Sequence, residues 1–324
     1  MAAACAMTAA VALLPLSGVG PEVPREPAAA TLLATPATGP GGPPALPALP
    51  STECDDKTNA TASLKPSTAD GDAVKRIKSA GKLVAGVDQN SYMWGYANPS
   101  APGGLDGFDI ALVKAIAKEI LGDENAVIYR AIPTSQRIPA LKEGRVDVVV
   151  RTMTINCKRL ADVAFSTAYF TAGQQVLAPA VSKITGYDES LAGKRICVAT
   201  GSTAEAALTA KSFGAKAVPV PNQLDCLVRT QLGEVDGVIT DNALAAGQIA
   251  QDPSMRLVGE PFTTEYYGVA MNKGAEDLVR RVNKVLEDYR AGGANSAWRR
   301  AYDNYLRKAM GDVGSTPPQP LYRD

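Results

Sequence analysis

The sequence predicts an α/β fold, in which parallel strands are connected by helices. Short apolar runs at 83–87, 127–130 and 146–150 have the length of buried strands. Segments 107–121 and 137–143, which lie between these runs, have the periodicity and glycine endings of helices. Because this alternation brings the carboxyl ends of parallel strands to one edge of a sheet, polar residues that follow the strands are candidates for a ligand site.

The first elements of this half are a short amphipathic helix at 73–79, which ends at Gly81, and the strand at 83–87. That strand places Asp88 at its carboxyl end. In helix 107–121, apolar side chains recur at intervals of three and four residues and form one buried face. They are Phe108, Leu112, Val113, Ile116, Ile120 and Leu121.

The alternation continues after residue 176, so we expect a second set of α/β units. Strands are predicted at 195–199, 218–220, 235–240 and 266–271, and helices at 202–211, 223–232, 242–249, 278–289 and 297–308.

The composition excludes several functional classes. The chain of 324 residues has 33 Lys and Arg against 33 Asp and Glu, so it lacks the electrostatic signature of a protein that binds nucleic acid or an anionic membrane surface. It contains no histidine, which removes Ser-His-Asp and Cys-His catalysis and every zinc site that includes His. We therefore expect no catalytic residue, no metal and no cofactor.

Both ends of the chain are predicted to lie outside the folded body. Residues 1–19 include a short apolar run at 9–16, which is typical of a signal segment and too short to span a bilayer. Residues 20–71 begin with a stretch rich in Pro and Ala that predicts a disordered linker, and 313–324 are expected to form a flexible tail. Cys5 has no apolar run before it, so lipid anchoring is left open.

Two motifs carry most of the functional information. GLDGFD at 104–109 predicts a turn followed by a helix start, and GRVD at 144–147 leads through a buried strand into TMTINCKR at 152–159. Together they resemble the signature of the extracytoplasmic solute-binding proteins that serve polar amino-acid ABC transporters, in particular the actinobacterial glutamine/glutamate-binding lipoprotein group. The resemblance covers roughly residues 72–312.

This resemblance implies a two-lobed fold of the type II periplasmic-binding-protein, or Venus-flytrap, kind, with a mixed sheet flanked by helices in each lobe. Lobe one is expected to comprise 72–172 and 267–312, and lobe two 173–266. Two crossover strands, near 168–177 and 261–269, would form the hinge about which the lobes close.

The resemblance also implies that the protein has one binding group for each of the two charges of a free amino acid. Arg159 offers a planar fork of donors to the α-carboxylate, and Thr152 and Thr154 add hydrogen bonds from the same strand end. Asp241 would pair with the ammonium group. The alternatives are a surface ion pair between Arg159 and Asp162 and a helix N-cap role for Asp241.

The resemblance also implies that the turn after the strand at 195–199 contacts the ligand carboxylate through Ser202 and Thr203. The free amides at this helix start are in themselves a ready site for an anion. A capping box formed by Ser202 and Glu205 explains the same residues without a ligand.

Selectivity is expected to depend on the loop that contains Thr134 and Arg137, which matches a loop lining the side-chain pocket of relatives. In relatives that bind aspartate and glutamate, an arginine occupies the position of Arg137, so the resemblance favours an acidic side chain. A helix-surface cation is the alternative for Arg137. Asp88 favours an amide and would repel a ligand carboxylate unless Arg137 neutralised it. Glutamate or aspartate is therefore the first expectation, and glutamine or asparagine the second.

The remaining cysteines, at positions 54, 157, 197 and 226, form an even set, which suggests disulfides in an exported protein. Four cysteines allow three pairings. We favour Cys197–Cys226, within one lobe, and Cys54–Cys157, which would join the end of the linker to the body. Buried free thiols are the alternative.

The sequence thus predicts a monomeric, non-enzymatic binding protein at the outer face of the cytoplasmic membrane or in a periplasm-like space. Its partners would be a free amino acid, as the small-molecule ligand, and an ABC transporter permease, and no nucleic acid. One alternative is a sensor that signals to a membrane receptor. A more remote alternative is a dehydratase-type enzyme on the same fold, although such an enzyme would not be expected to keep both Arg159 and Asp241.

Overall fold

The computed structural model describes residues 52–324. The predicted signal segment, residues 20–51 of the predicted linker and Cys5 lie outside the described residues. The α-helices are α1 (Asp72–Ala80), α2 (Phe108–Leu121), α3 (Arg137–Lys142), α4 (Cys157–Leu160), α5 (Thr203–Ala210), α6 (Gln223–Gln231), α7 (Asn242–Gln251), α8 (Glu276–Arg290), α9 (Ala297–Tyr305) and α10 (Arg307–Met310). Short 3₁₀ helices span Thr134–Gln136, Glu189–Leu191 and Gly293–Asn295.

The strands are β1 (Ala62–Ser63), β2 (Leu83–Val87), β3 (Asn90–Ser91), β4 (Gly95–Ala97), β5 (Leu105–Asp106), β6 (Val127–Ala131), β7 (Val148–Val149), β8 (Val163–Phe165), β9 (Phe170–Ala172), β10 (Gln174–Pro179), β11 (Arg195–Ala199), β12 (Lys216–Val220), β13 (Gly237–Asp241), β14 (Met255–Val258), β15 (Glu265–Tyr267), β16 (Ala270–Asn272) and β17 (Leu321–Tyr322). The predicted α/β alternation is confirmed.

Two mixed sheets of the same design organise the chain. One has the order β6-β2-β7-β16-β8, with β2 parallel to β6 and β7, and with β16 antiparallel to both of its neighbours. We call this sheet with its helices the first lobe. The other has the order β12-β11-β13-β10-β14, with β11 parallel to β12 and β13, and with β10 antiparallel to both neighbours. We call this sheet with its helices the second lobe.

The connection between the sheets is a pair of antiparallel strands, β9 and β15. Strand β9 leads through Gly173 into β10 of the second lobe, and β15 leads through Gly268 into β16 of the first lobe. Gly173 is required by space, because a Cβ at this position would lie 2.6 Å from the carbonyl oxygen of Thr263. The predicted crossover strands therefore pair with each other, while the exact lobe boundaries at 172/173 and 266/267 stay a prediction.

Two predicted strands differ from the observed ones by division or marked shortening, and not only by a shift of one or two residues at an end. The single strand expected at 266–271 is divided between β15 in the hinge and β16 in the first sheet. The break occurs because the amides of Gly268 and Val269 donate to Met153 O and Ser166 Oγ, outside the strand ladder. The strand expected at 146–150 is reduced to Val148–Val149.

The expectation that 52–71 and 313–324 are disordered or flexible is wrong. Strand β1 pairs in parallel with β17, so the two segments bind each other. Ser63 donates to Phe165 O at 2.7 Å and accepts from Asn283 at 2.9 Å, which attaches β1 to the first lobe. Composition cannot reveal such an arrangement, because its hydrogen bonds join residues more than 100 positions apart.

Two disulfides have the pairing favoured from the sequence. Cys54–Cys157 attaches the segment before β1 to α4, and Cys197–Cys226 joins β11 to α6 inside the second lobe. None of the helices in the described part of the chain combines the length and hydropathy that a membrane crossing requires.

Replacing both Cys197 and Cys226 with Ala is expected to lower the free energy of unfolding by about 3–4 kcal/mol, because the bond closes a loop with a sequence separation of 29. Denaturant titration of the oxidised wild type and the double variant measures this difference. A loss below about 1 kcal/mol would contradict the assigned role of the bond.

Candidate functional site

All nine residues predicted to bind the ligand line one cavity between the facing edges of the two sheets. The first lobe contributes Asp88, Thr134, Arg137, Thr152, Thr154 and Arg159, and the second lobe contributes Ser202, Thr203 and Asp241. These positions follow from the topology, since most of them lie at or just after the carboxyl ends of β2, β7, β11 and β13. The cavity is narrow, with about 30 Å³ open to the centres of water-sized spheres.

Arg159 lies in α4 with its guanidinium group buried. Asn156 caps this helix and accepts a hydrogen bond from the amide of Arg159 at 2.9 Å, which fixes where the side chain starts. Nη1 donates to Thr154 O at 2.7 Å, and Nη2 donates to Gly201 O of the second lobe at 3.2 Å. Burial lowers the pKa of this guanidinium.

The alternative of a surface ion pair between Arg159 and Asp162 is wrong. Asp162 instead lies 2.7 Å from Lys142 Nζ at the surface. Arg159 is only 7% exposed and binds carbonyl oxygens, so its positive charge is available to a ligand in the cavity.

Arg137 is a second buried guanidinium, 4% exposed, and is not a helix-surface cation. Its Nε donates to Thr134 O at 3.0 Å and its Nη1 to Arg151 O at 3.2 Å. Burial lowers its pKa well below the ordinary value, and the positive charges of Arg159 and Arg151 add to this effect. The carboxylates of Asp241 and Asp88 act in the opposite direction, but neither forms a direct ion pair with Arg137.

Arg151 is the main site residue that the sequence reasoning missed. Its Nη2 lies 2.9 Å from Asp88 Oδ2, and both side chains are less than 10% exposed. Its Nη1 donates to Thr134 Oγ1 at 2.9 Å. Arg151, rather than Arg137, therefore neutralises Asp88. The sequence feature that could have indicated Arg151 was its position shortly after the end of β7, which resembles the position of Asp88 after β2.

Asp109, the last residue of the GLDGFD motif, does not line the cavity but is hydrogen-bonded to a residue that does. Its Oδ2 accepts from the amide of Thr152 at 3.0 Å, and its Oδ1 accepts from Tyr169 OH at 2.8 Å. Thr152 has a φ of 41°, a left-handed conformation that a non-glycine residue adopts only with support. Burial raises the pKa of Asp109 to about 7. The motif thus holds the backbone of a ligand-site residue.

Asp241 ends β13 and precedes α7, but its side chain does not cap that helix. The carboxylate is 7% exposed, and its Oδ2 accepts a hydrogen bond from Tyr267 OH. Burial raises the pKa of Asp241 to about 7, and the negative charge of Glu265 acts in the same direction. Asp241 thus occupies the N-cap position of α7 without making the side-chain hydrogen bond of a cap.

Ser202 and Thr203 begin α5 at the edge of the cavity. Ser202 Oγ accepts from the amide of Glu205 at 3.0 Å, while Glu205 Oε2 accepts from the amide of Gly201 at 2.7 Å. Ser202 thus caps the helix, as its alternative explanation proposed, and also lines the cavity. Thr203 Oγ1 donates to Glu265 Oε2 at 3.2 Å.

Comparison with known proteins gives a consistent result. The family model of the bacterial extracellular solute-binding proteins, family 3, matches residues 83–307. An ABC transporter glutamine-binding protein of Bacillus subtilis is 35% identical over 68% of this chain and 81% of its own length. A glutamate-binding protein of Corynebacterium efficiens is 28% identical over 75% of this chain and 83% of its own.

The fold agrees with that of solved structures. A structure described as an ancestral arginine-binding protein bound to glutamine superposes with a TM-score of 0.63, at 35% identity, over 70% of this chain and 98% of that chain. The predicted type II periplasmic-binding-protein fold is confirmed.

Replacing Arg151 with Met is expected to destabilise the protein by about 3 kcal/mol, because Asp88 would stay buried without its charged partner. Among the described residues, the Asp88 carboxylate would keep only the hydrogen bonds from the amides of Gln89 and Asn90 and from Ser91 Oγ. The double variant R151M/D88N, which removes both charges, should recover most of this loss. Denaturant titration of both variants provides the measurement. If the free energy of unfolding of R151M lay within 0.5 kcal/mol of the wild-type value, the ion pair would contribute nothing to stability.

Proposed function

The chain belongs to the bacterial extracellular solute-binding proteins, family 3, and we propose that it binds an acidic amino acid, glutamate or aspartate, between its lobes. Binding would take place outside the cytoplasmic membrane, and the loaded protein would deliver the ligand to an ABC transporter. The observation that carries this proposal is the presence of two buried guanidinium groups, on Arg159 and Arg137, whose described hydrogen bonds go to carbonyl oxygens.

The cavity offers one group to each charge of such a ligand. Arg159, with the backbone around Thr152 and Thr154, faces the α-carboxylate, and Asp241 faces the ammonium group. Arg137 faces the side-chain carboxylate. Because a charge-assisted hydrogen bond to a guanidinium is about twice as strong as a neutral one, two carboxylates use these two arginines better than one does.

The charges in the cavity favour an acid over an amide. Three guanidinium groups, on Arg137, Arg151 and Arg159, face two carboxylates, on Asp88 and Asp241. The side chains that line the cavity directly therefore carry one positive charge more than negative charges, which supports a ligand with a net charge of minus one. The buried carboxylate of Glu265, which lies outside the lining, offsets part of this excess through its effect on Arg159. Asp109, whose pKa is about 7, would reduce this excess as the pH rises above neutrality.

Glutamine is the second candidate ligand. Its support is the 35% identity to a relative that is named a glutamine-binding protein, together with the carboxylate of Asp88, which could accept from an amide. The pairing of Asp88 with Arg151 reduces its availability, so we place the amide second.

Closure of the lobes is part of the proposal. Arg159 Nη2 reaches Gly201 O, and the amide of Thr134 donates to Pro221 O at 3.3 Å, so residues expected to touch the ligand also join the two lobes. A hinge of two strands, β9 and β15, permits this kind of movement.

Calorimetric titration with glutamate, aspartate, glutamine and asparagine tests the function. The wild type is expected to bind at least one of them. Arg159→Ala should weaken that binding by about 10²–10⁴-fold, because the α-carboxylate loses its main charged partner. A wild type that binds none of the four would refute the proposal, and an unchanged affinity in the variant would remove Arg159 from the site.

Arg137→Met is expected to weaken the binding of glutamate or aspartate by about 10–100-fold, because a hydrogen bond to a charged group is lost. The affinity for glutamine or asparagine should change by less than about 5-fold. Arg145→Met is the matched control, since Arg145 pairs with Glu143 at the surface, and it should leave both affinities unchanged. Equal losses for acid and amide in R137M would show that Arg137 does not read the ligand side chain.

A further inference from the structure

The hinge strand β15 has one acidic and one hydroxyl-bearing side chain on the same face. Glu265 and Tyr267 are two residues apart, so their side chains point to the same side of the strand. Both are buried, with exposures of 2% and 0%. A buried carboxylate is costly unless it has partners, so the partners of these two residues indicate what they do.

Each of the two side chains contacts a ligand-site residue of the second lobe. Tyr267 OH donates to Oδ2 of Asp241, so one of the two carboxylate oxygens is engaged and the plane of the group is restricted. Glu265 Oε2 accepts from Thr203 Oγ1 at 3.2 Å, while its Oε1 accepts from Thr263 Oγ1 at 2.9 Å. The hinge strand is therefore hydrogen-bonded directly to two of the second-lobe residues that line the cavity, Asp241 and Thr203.

We propose that Tyr267 and Glu265 are positioning residues for Asp241, Tyr267 through its hydrogen bond and Glu265 through its nearby negative charge, and that together they set the affinity for the ligand ammonium group. The proposal rests on the proposed function, because it assigns Asp241 to that ammonium group. Neither residue lines the cavity; each acts through a residue that does.

The charges that face Asp241 give the two residues opposite effects. Glu265 and Tyr267 face it from β15, Arg159 from α4 and Arg137 from α3. Burial and, after it, the negative charge of Glu265 raise the pKa of Asp241, while the hydrogen bond from Tyr267 and the two guanidinium groups lower it. The balance of these effects is a pKa of about 7.

The sign of the pH dependence follows from these directions. An ammonium group pairs with the ionised carboxylate, so affinity should fall as the pH decreases through the pKa of Asp241. Removing the Tyr267 hydroxyl takes away a donor that stabilises the ionised form, which moves this fall to higher pH. Removing the charge of Glu265 moves it to lower pH.

The test measures the affinity for L-glutamate by calorimetry between pH 5 and 9, in the wild type, Tyr267→Phe and Glu265→Gln. The midpoint of the fall in affinity should move up by about one pH unit in Y267F and down by about one in E265Q. A role in packing alone would change affinity without moving the midpoint, or would move both midpoints in one direction. Either result would overturn the proposal.

Two matched controls isolate the effect. Tyr266→Phe makes the same change one residue away on the opposite face of β15, and Glu260→Gln neutralises an exposed carboxylate in the preceding loop. Both should keep the midpoint of the wild type.

A measurement without ligand separates this proposal from the proposed function. The carboxyl ¹³C shift of Asp241, followed against pH in the free protein, reports its pKa directly. The same opposite displacements are expected in Y267F and E265Q, and E265Q alone decides if Y267F fails to fold. If the wild type bound no amino acid, the proposed function would fail. An Asp241 pKa unchanged by E265Q would overturn the positioning role.

Discussion

The burial of three arginine side chains where two sheets meet is the constraint on which the site depends. Taking a guanidinium group out of water costs several kcal/mol unless other groups replace the lost hydration. Arg151 meets this requirement with the carboxylate of Asp88. The hydrogen bonds of Arg159 and Arg137 go to carbonyl oxygens. The carboxylate of Asp241 acts on both of these side chains, and that of Glu265 on Arg159, without a direct ion pair. Arg151 and Asp88 thus form a close ion pair, whereas Arg159 and Arg137 have no carboxylate of residues 52–324 within ion-pair distance.

The fold brings these side chains together by repeating one sheet design. In each sheet, parallel strands end at the edge that faces the other sheet, and polar residues follow directly. Asp88 and Arg151 come after neighbouring strands of the first lobe, and Asp241 ends the corresponding strand of the second. Charged groups far apart in sequence thereby face one space, and the apolar strands before them supply the rigid support that a binding site needs.

Much of this arrangement could be predicted from the sequence, because it depends on local patterns. The strand before Asp88 and the glycine-ended helices have periodicities that a single window reveals. The missed features depend on distant partners. In the sequence, Arg151 has the same local pattern as an exposed arginine after a strand. Its burial is explained by its ion pair with Asp88, which lies 63 residues earlier. The pairing of β1 with β17 joins segments at opposite ends of the described chain, and neither has a hydrophobic pattern of its own.

The division of charge between the lobes connects recognition to movement. A ligand shifts a conformational equilibrium only by the difference between its affinities for the two states. If the carboxylate and ammonium partners were in one lobe, an amino acid would bind the open form as well as the closed form. Here Arg159 belongs to the first lobe and Asp241 to the second, and Arg159 itself donates across the gap to Gly201 O. An amino acid bound as proposed would gain its second ionic partner only on closure, so its two opposite charges would stabilise the closed form.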